Sequence, residues 1–254
     1  MGTVTVRHEH GGQLARLILD APKANILDSE MLRALIGALE DAESAPAVKL
    51  VVLEGAAKHF SFGASVEEHR AAPSRKMIPL FGRLFRTLIE TRLPLLAAVR
   101  GQCLGGGMEL ACFCHWVFAE PEARFGQPEI HLGVFPPVAA LVLPLLVGQA
   151  AADDLCLTGR TITAEQAREL GLVHTLSADL ESAVQDFFHA HIEPRSAAAL
   201  RLTARASRYL FNTAFCQNWA ELERIYLDEL METADANEGI AAFLEKRQPN
   251  WLHR

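Results

Sequence analysis

Short stretches of alternating or continuous apolar residues dominate the first two thirds of the chain, and helical spacing dominates the last third. Residues 4–7 and 14–19 have strand patterns, separated by the turn-forming His10-Gly11-Gly12. Met31, Leu32, Leu35, Ile36 and Leu39 then recur on one helical face, with Asp28 placed to cap the first N–H groups. Residues 48–53 and 95–103 are nearly continuous apolar runs, the pattern of strands covered on both faces. Between them a helical stretch is predicted over 66–90, and a further short strand over 116–119. Thr163 and Gln166 form a capping box for a helix that Gly171 ends. From about residue 182 onward no strand pattern remains. Strands alternating with helices predict an α/β fold: a core over 1–190, and a helical region over 191–254 where subunit contacts are expected. There is no internal repeat, low-complexity segment or linker.

Composition narrows the possibilities. Half of the 254 residues are hydrophobic, enough for a sizeable core. A formal charge of −7 and no basic aromatic stripe argue against a nucleic-acid surface. They do not argue against an anionic small molecule, which needs only a local basic patch. The first ten residues hold no apolar signal core, and Val6 stands where a myristoylation motif wants Ser or Thr. The longest apolar run, 132–147, is short for a membrane span and is broken by Pro136, Pro137 and Pro144. No membrane association is therefore expected, and five cysteines in a chain this long do not suggest a disulfide framework. Cys112, Cys114 and His115 lack a second ligand pair, so buried free thiols are expected there rather than a metal site, in a reducing cytoplasm.

The candidate chemistry lies in two small-residue loops and two carboxylates. Ser61-Phe62-Gly63-Ala64-Ser65 follows the first buried run, and Gly105-Gly106-Gly107 follows the second. Small residues leave backbone N–H groups accessible, and a helix opening at the second loop favours negative charge. If the loops converge, the Ala64 and Gly106 N–H groups can hold one carbonyl oxygen as it becomes an enolate. Glu109 sits in the first turn of that helix and Glu129 in an apolar stretch 20 residues later, where Phe125, Ile130 and Leu132 would shelter it. Two carboxyl groups facing one substrate can move protons while water is added to or removed from carbon, and a thioester suits this scheme because its α-carbon acidifies readily. No dinucleotide fingerprint, Walker loop or nucleophile elbow is present. His59 and His69 flank the first loop, and these two and His131 are open candidates for the pocket.

These residues resemble the enoyl-CoA hydratase/isomerase (crotonase) superfamily over nearly the whole chain. Pro22-Lys23-Ala24-Asn25 resembles its CoA-contacting turn, HFSFGAS and GQCLGGGMEL its two oxyanion loops, and FGQPEIHLGVFP the segment bearing its second acid. TGRTITAEQARELGLVH and FLEKRQP resemble its later signatures. The resemblance implies a spiral of ββα units with a helical C-terminal oligomerisation region, packed as a homotrimer or hexamer. It implies Ala64 and Gly106 as oxyanion donors, Glu109 and Glu129 as catalytic carboxylates, and thioester contacts from Lys23, Ala24, Ile26, Phe62, Ser65 and Pro137. Lys58, and Lys246 of a neighbouring subunit, stand behind Lys23 for the CoA phosphates. No metal or redox cofactor is implied; coenzyme A belongs to the substrate.

Two departures refine the expectation. Hydratases of linear enoyl thioesters usually carry Asp where this chain has Ser65, and a glycine-rich run where it has Pro136-Pro137-Val138-Ala139-Ala140. Pro137 has no N–H to hold a water. KANILDSEM and HFSFGASVEEH look most like hydratases of cyclohexa-1,5-diene-1-carbonyl-CoA in anaerobic aromatic degradation. Water addition to a cyclic dienoyl-CoA is the leading expectation. Its rivals are a general short-chain 2-enoyl-CoA hydratase, an isomerase using one glutamate, and a non-catalytic acyl-CoA-binding subunit, which two intact glutamates disfavour.

Overall fold

A computed structural model of the chain describes residues 2–22 and 24–254. In chain order its elements begin β1 (Thr3–Glu9), β2 (Leu14–Asp20), α1 (Ser29–Ser44), β3 (Leu50–Gly55), α2 (Ala71–Glu90), β4 (Leu95–Val99), β5 (Gln102–Leu104) and α3 (Gly106–Cys112). Next come β6 (Trp116–Ala119), β7 (Arg124–Gly126), α4 (Pro137–Val147), α5 (Gln149–Thr158), β8 (Thr161–Thr163), α6 (Ala164–Glu169) and β9 (Thr175–Leu176). The remainder is helical: α7 (Leu180–Phe187), α8 (Ala197–Ser207), α9 (Tyr209–Arg224) and α10 (Ala234–Leu244).

Six strands form one sheet in the order β1-β2-β3-β4-β6-β9, antiparallel at β1–β2 and parallel elsewhere. The continuous apolar runs follow from burial on both faces. Val51, Leu53, Ala97 and Val99 face the large core that α1 and α2 cover. The intervening Leu50, Val52, Leu96 and Ala98 face a smaller cluster with Leu180, Val184 and Phe188. Asp28 caps α1 by accepting from the Glu30 and Met31 N–H groups, and the predicted face Met31, Leu32, Leu35, Ile36 and Leu39 is buried. The Thr163–Gln166 capping box is also present.

Two predicted elements differ from the structure. The run over 95–103 is two strands in two sheets, because the chain turns at Arg100-Gly101, where Gly101 has φ +53°. A side chain at Gly101 would overlap His59 and the Lys58 carbonyl. β5 thereby joins a small sheet, β5-β7-β8, that carries the site loops. The helix expected over 66–90 is a 3-10 turn, Glu67–His69, then extended Arg70, then α2. The chain restarts at α2 with Pro73 in its first turn, where a missing N–H costs no intrahelical bond.

The C-terminal helices feed the same core. Phe215, Trp219 and Tyr226 are fully buried, and the Phe215 ring centre lies 5.2 Å from that of Phe113 and 6.0 Å from that of Phe85. No helix of the described residues is long and apolar enough to cross a membrane.

Candidate active site

The two small-residue loops are stitched together by backbone bonds. The Ser61 N–H donates to Gln102 O at 3.1 Å, and the Leu104 N–H donates to Ser61 O at 3.0 Å. The first loop thus runs beside β5 and delivers Ala64 next to Gly106. Gly63, at φ +96°, permits this approach, since a Cβ there would sit 2.8 Å from Leu104 O and 3.0 Å from Gly106 N. A Cβ on Gly106 would lie 3.2 Å from Ala64 N. Neither the Ala64 nor the Gly106 N–H donates to another group among the described residues. The two N–H groups are adjacent, unspent and at the opening of α3, as an oxyanion site requires.

Asn25 fixes the loop from below. Its Oδ1 accepts the Ala21 N–H at 3.0 Å, and its Nδ2 donates to His59 O at 2.9 Å, Phe60 O at 3.2 Å and Ala56 O at 3.3 Å. Ser61 Oγ donates to Asn25 O at 2.7 Å and accepts the Gly63 N–H at 3.0 Å, which shapes the turn into Ala64.

Glu109 lies in the first turn of α3 and is buried. Its Oε1 accepts from the Val138 N–H at 2.8 Å and the Ala139 N–H at 2.7 Å, the opening turn of α4. Burial pushes its pKa up, the two N–H donors pull it down, and burial wins, leaving it at about 7.

Glu129 is presented by the 3-10 turn Pro128–Leu132 that follows β7. As a residue it is half-buried, but its Oε2 is shut off from solvent and has no hydrogen-bond partner among the described residues. Its pKa stands well above the usual carboxylate range, first through desolvation and second through the Glu109 charge. Its Oε1 occupies the space a Gly105 side chain would take, and Gly105 has φ +50°. Ile130 is exposed, so it does not provide the shelter expected of it; Phe125 is buried and Leu132 half-buried. The glycine triplet is thereby accounted for: Gly105 makes room for Glu129, Gly106 for Ala64, and Gly107 for Ser61, whose Cβ would be 2.7 Å away.

A cavity of about 620 Å³ opens against Ala64, Gly105 and Glu129. Of the expected site residues, Ala24, Ile26, Phe62, Ala64, Ser65 and Glu129 line it. Gly106 and Glu109 are not among its lining residues. Pro137 does not line it: it heads α4, buried, and its two successors hold Glu109 through their N–H groups. The proline start therefore acts through α4, not as a pocket wall. Lys23 lies outside the described residues, and Lys58 and Lys246 are exposed.

The three histidines separate clearly. His69 lines the cavity, is buried, and donates through Nδ1 to Ser65 O at 2.7 Å; desolvation lowers its pKa, so it is neutral with Nε2 as an acceptor. His131 also lines it, with Nε2 donating to Thr158 O at 3.1 Å. His59 is structural: its Nδ1 accepts the Gln102 N–H at 3.1 Å and its ring stacks edge-on against Phe62 at 5.0 Å. Cys112 and Cys114 are buried, with thiols raised by desolvation, that of Cys114 to about 12. Among the described residues no group of three His, Cys, Asp or Glu side chains is arranged to hold an ion.

Part of the wall was not legible in the sequence. Gly239, Ala242, Phe243 and Leu244 of α10, with Arg247, close one side. Arg247 is engaged by Glu238 and Glu245. Only the segment FLEKRQP pointed to this region; the sequence otherwise marked it simply as part of the helical C-terminal stretch.

The enoyl-CoA hydratase/isomerase family model matches residues 9–254. The chain is 45% identical over 246 residues to a cyclohexa-1,5-dienecarbonyl-CoA hydratase of Thauera aromatica, covering 97% of this chain and 95% of that protein. It is 36% identical over 247 residues to a 2,3-dehydroadipyl-CoA hydratase of Escherichia coli K12, covering 94% of each. Among solved structures, an enoyl-CoA hydratase from Mycobacterium avium superposes with a TM-score of 0.86 at 31% identity, covering 98% of both chains.

Proposed function

The chain belongs to the enoyl-CoA hydratase/isomerase family and is an acyl-CoA hydratase, and from that premise we propose that it adds water to a cyclic dienoyl thioester, cyclohexa-1,5-diene-1-carbonyl-CoA. The observation that carries the mechanism is the inequality of the two carboxyl groups beside one pair of free N–H donors. Glu109, at about 7, ionises near neutral pH and serves as the base. Glu129, held well above the carboxylate range, stays protonated and serves as the acid.

In this scheme the thioester oxygen accepts from the Ala64 and Gly106 N–H groups. Glu109 takes a proton from water as its oxygen bonds to the β-carbon, and the electron pair of that double bond moves into a dienolate on the held oxygen. Glu129 gives its proton to the far end of the diene. The remaining double bond shifts between the two central carbons, giving 6-hydroxycyclohex-1-ene-1-carbonyl-CoA. The proton left on Glu109 restores the pair by exchange.

The identity of 45% to the Thauera relative supports the cyclic substrate. So does Ser65, which lines the cavity without the carboxylate usual for linear substrates. The exposed Leu202, Tyr209 and Leu210 on α8 and α9 support self-association; that it is a trimer or hexamer, and cytoplasmic, is part of the proposal. A general 2-enoyl-CoA hydratase is the second reading, favoured by the 36% identity to the 2,3-dehydroadipyl-CoA hydratase.

The test is mass spectrometry of protein with cyclohexa-1,5-diene-1-carbonyl-CoA and with crotonyl-CoA. Gain of water on the cyclic diene alone is expected, and Glu129→Gln should abolish it while CoA-ester binding persists. Hydration of crotonyl-CoA alone would overturn the cyclic assignment.

A further inference from the structure

Tyr226 is the one buried tyrosine hydroxyl near the site, and the scheme above does not use it. It sits in the π-helical turn Ile225–Glu229 that follows α9, a widened turn of the kind found at functional positions. The residue is fully buried, and its hydroxyl has no hydrogen-bond partner among the described residues. Its ring packs edge-on between Phe135 at 5.2 Å and His69 at 6.3 Å. His69 lines the cavity, so Tyr226 lies immediately behind the wall.

A buried donor left unpaired is costly, so a group that persists in this state calls for a partner. A complementary acceptor lies on the same cavity as His69: Glu129 Oε2 is likewise buried and unpaired. Burial above all, and then the neighbouring Glu129 and Glu109 carboxyls, pushes the phenol's pKa up, so it stays a donor. His69 offers no competing charge, because it is neutral.

We propose that Tyr226 is a positioning residue for Glu129, its hydroxyl donating toward Oε2 across one bridging water, so that the proton of Glu129 is held on the oxygen that faces the substrate. The inference rests on Glu129 as the proton donor of the hydration. It adds a third polar group to the site, from the C-terminal helical region. The phenol does not touch the reacting atoms; it fixes the direction of the carboxyl and eases its ionisation after the proton has left.

Other ionisable groups around Glu129 are few. Glu109 faces it from α3, and the half-buried Cys156 thiol of α5 is raised to about 12 and therefore neutral. His131, on the same turn, is turned to Thr158 O. On α10, Glu238 is taken by Arg247 and Asp235 accepts the Leu252 N–H. Tyr226 is thus the donor that can lower the pKa of Glu129, and its loss raises that pKa further.

The test is Tyr226→Phe, which keeps the ring and removes the oxygen. With a thioester that the wild type hydrates, kcat should fall about 10–100-fold while KM moves less than about three-fold. The limb of the pH profile that belongs to Glu129 should move to higher pH. A second measurement needs no turnover: infrared difference titration of the ligand-free protein, with Glu129→Gln identifying the Glu129 carboxyl band. An upward move of that titration in Tyr226→Phe supports the pairing, including where the wild type hydrates neither thioester, a result that would sink the functional reading alone. An unmoved titration overturns the pairing, whatever happens to kcat.

Discussion

Replacing Glu109 by Gln should separate what the carboxyl does for chemistry from what it does to stability. Val138 and Ala139 donate to its Oε1 at 2.8 and 2.7 Å, and an amide oxygen can accept both. The carboxyl stands at about 7 in the folded chain against an ordinary 4.5, a difference of 7 − 4.5 = 2.5. At about 1.4 kcal/mol per pH unit this amounts to about 3 kcal/mol. The folded value is raised, so the associated stability is fully present below pH 4.5 and is lost as pH rises through about 7. Gln has no such titration. The variant should match the wild type near pH 4.5 and exceed it by about 3 kcal/mol near pH 8.5. Urea unfolding across that range, followed by the fluorescence of buried Trp219, measures the difference. Hydration should meanwhile fall by about 10²–10⁴, the usual loss for a missing general base. Parallel stability curves for the two proteins, or turnover near the wild-type rate, would refute the reasoning.

Two further substitutions probe the scaffold. Gly105→Ala places a methyl group where Glu129 Oε1 lies and strains a backbone at φ +50°, so turnover should fall at least about 10²-fold, read by steady-state kinetics, with CoA-ester binding retained by calorimetry. Gly82→Ala drives a methyl group into the ring of fully buried Trp219, outside the cavity. It should lower stability by about 1–3 kcal/mol in a denaturant titration and leave kcat within about two-fold.

The sheet was legible because both of its faces are apolar, and Leu50 to Leu53 carry that information residue by residue. The break at Gly101 was not, because apolar continuity says nothing of a positive φ that sends the chain into a second sheet. The two loops and two glutamates were legible from residue type: glycines make room, and carboxylates among apolar neighbours need a reason. The anchoring of Glu109 was hidden, since Val138 and Ala139 act through backbone N–H groups that any non-proline residue has. Tyr226 was hidden for another reason. A tyrosine on an amphipathic helix gives the same pattern whether it faces a core or a carboxylate.

The cavity wall at residues 239–249 has a bearing on how the protein comes into being. During synthesis the Asn25 clamp on residues 56–60 can close early, and the two glutamates follow well before the last helices leave the ribosome. Tyr226 and the wall at 239–249 come later in the chain than both glutamates. A nascent chain therefore carries both carboxylates while residues 130–238 are still being added, without the wall that closes the cavity.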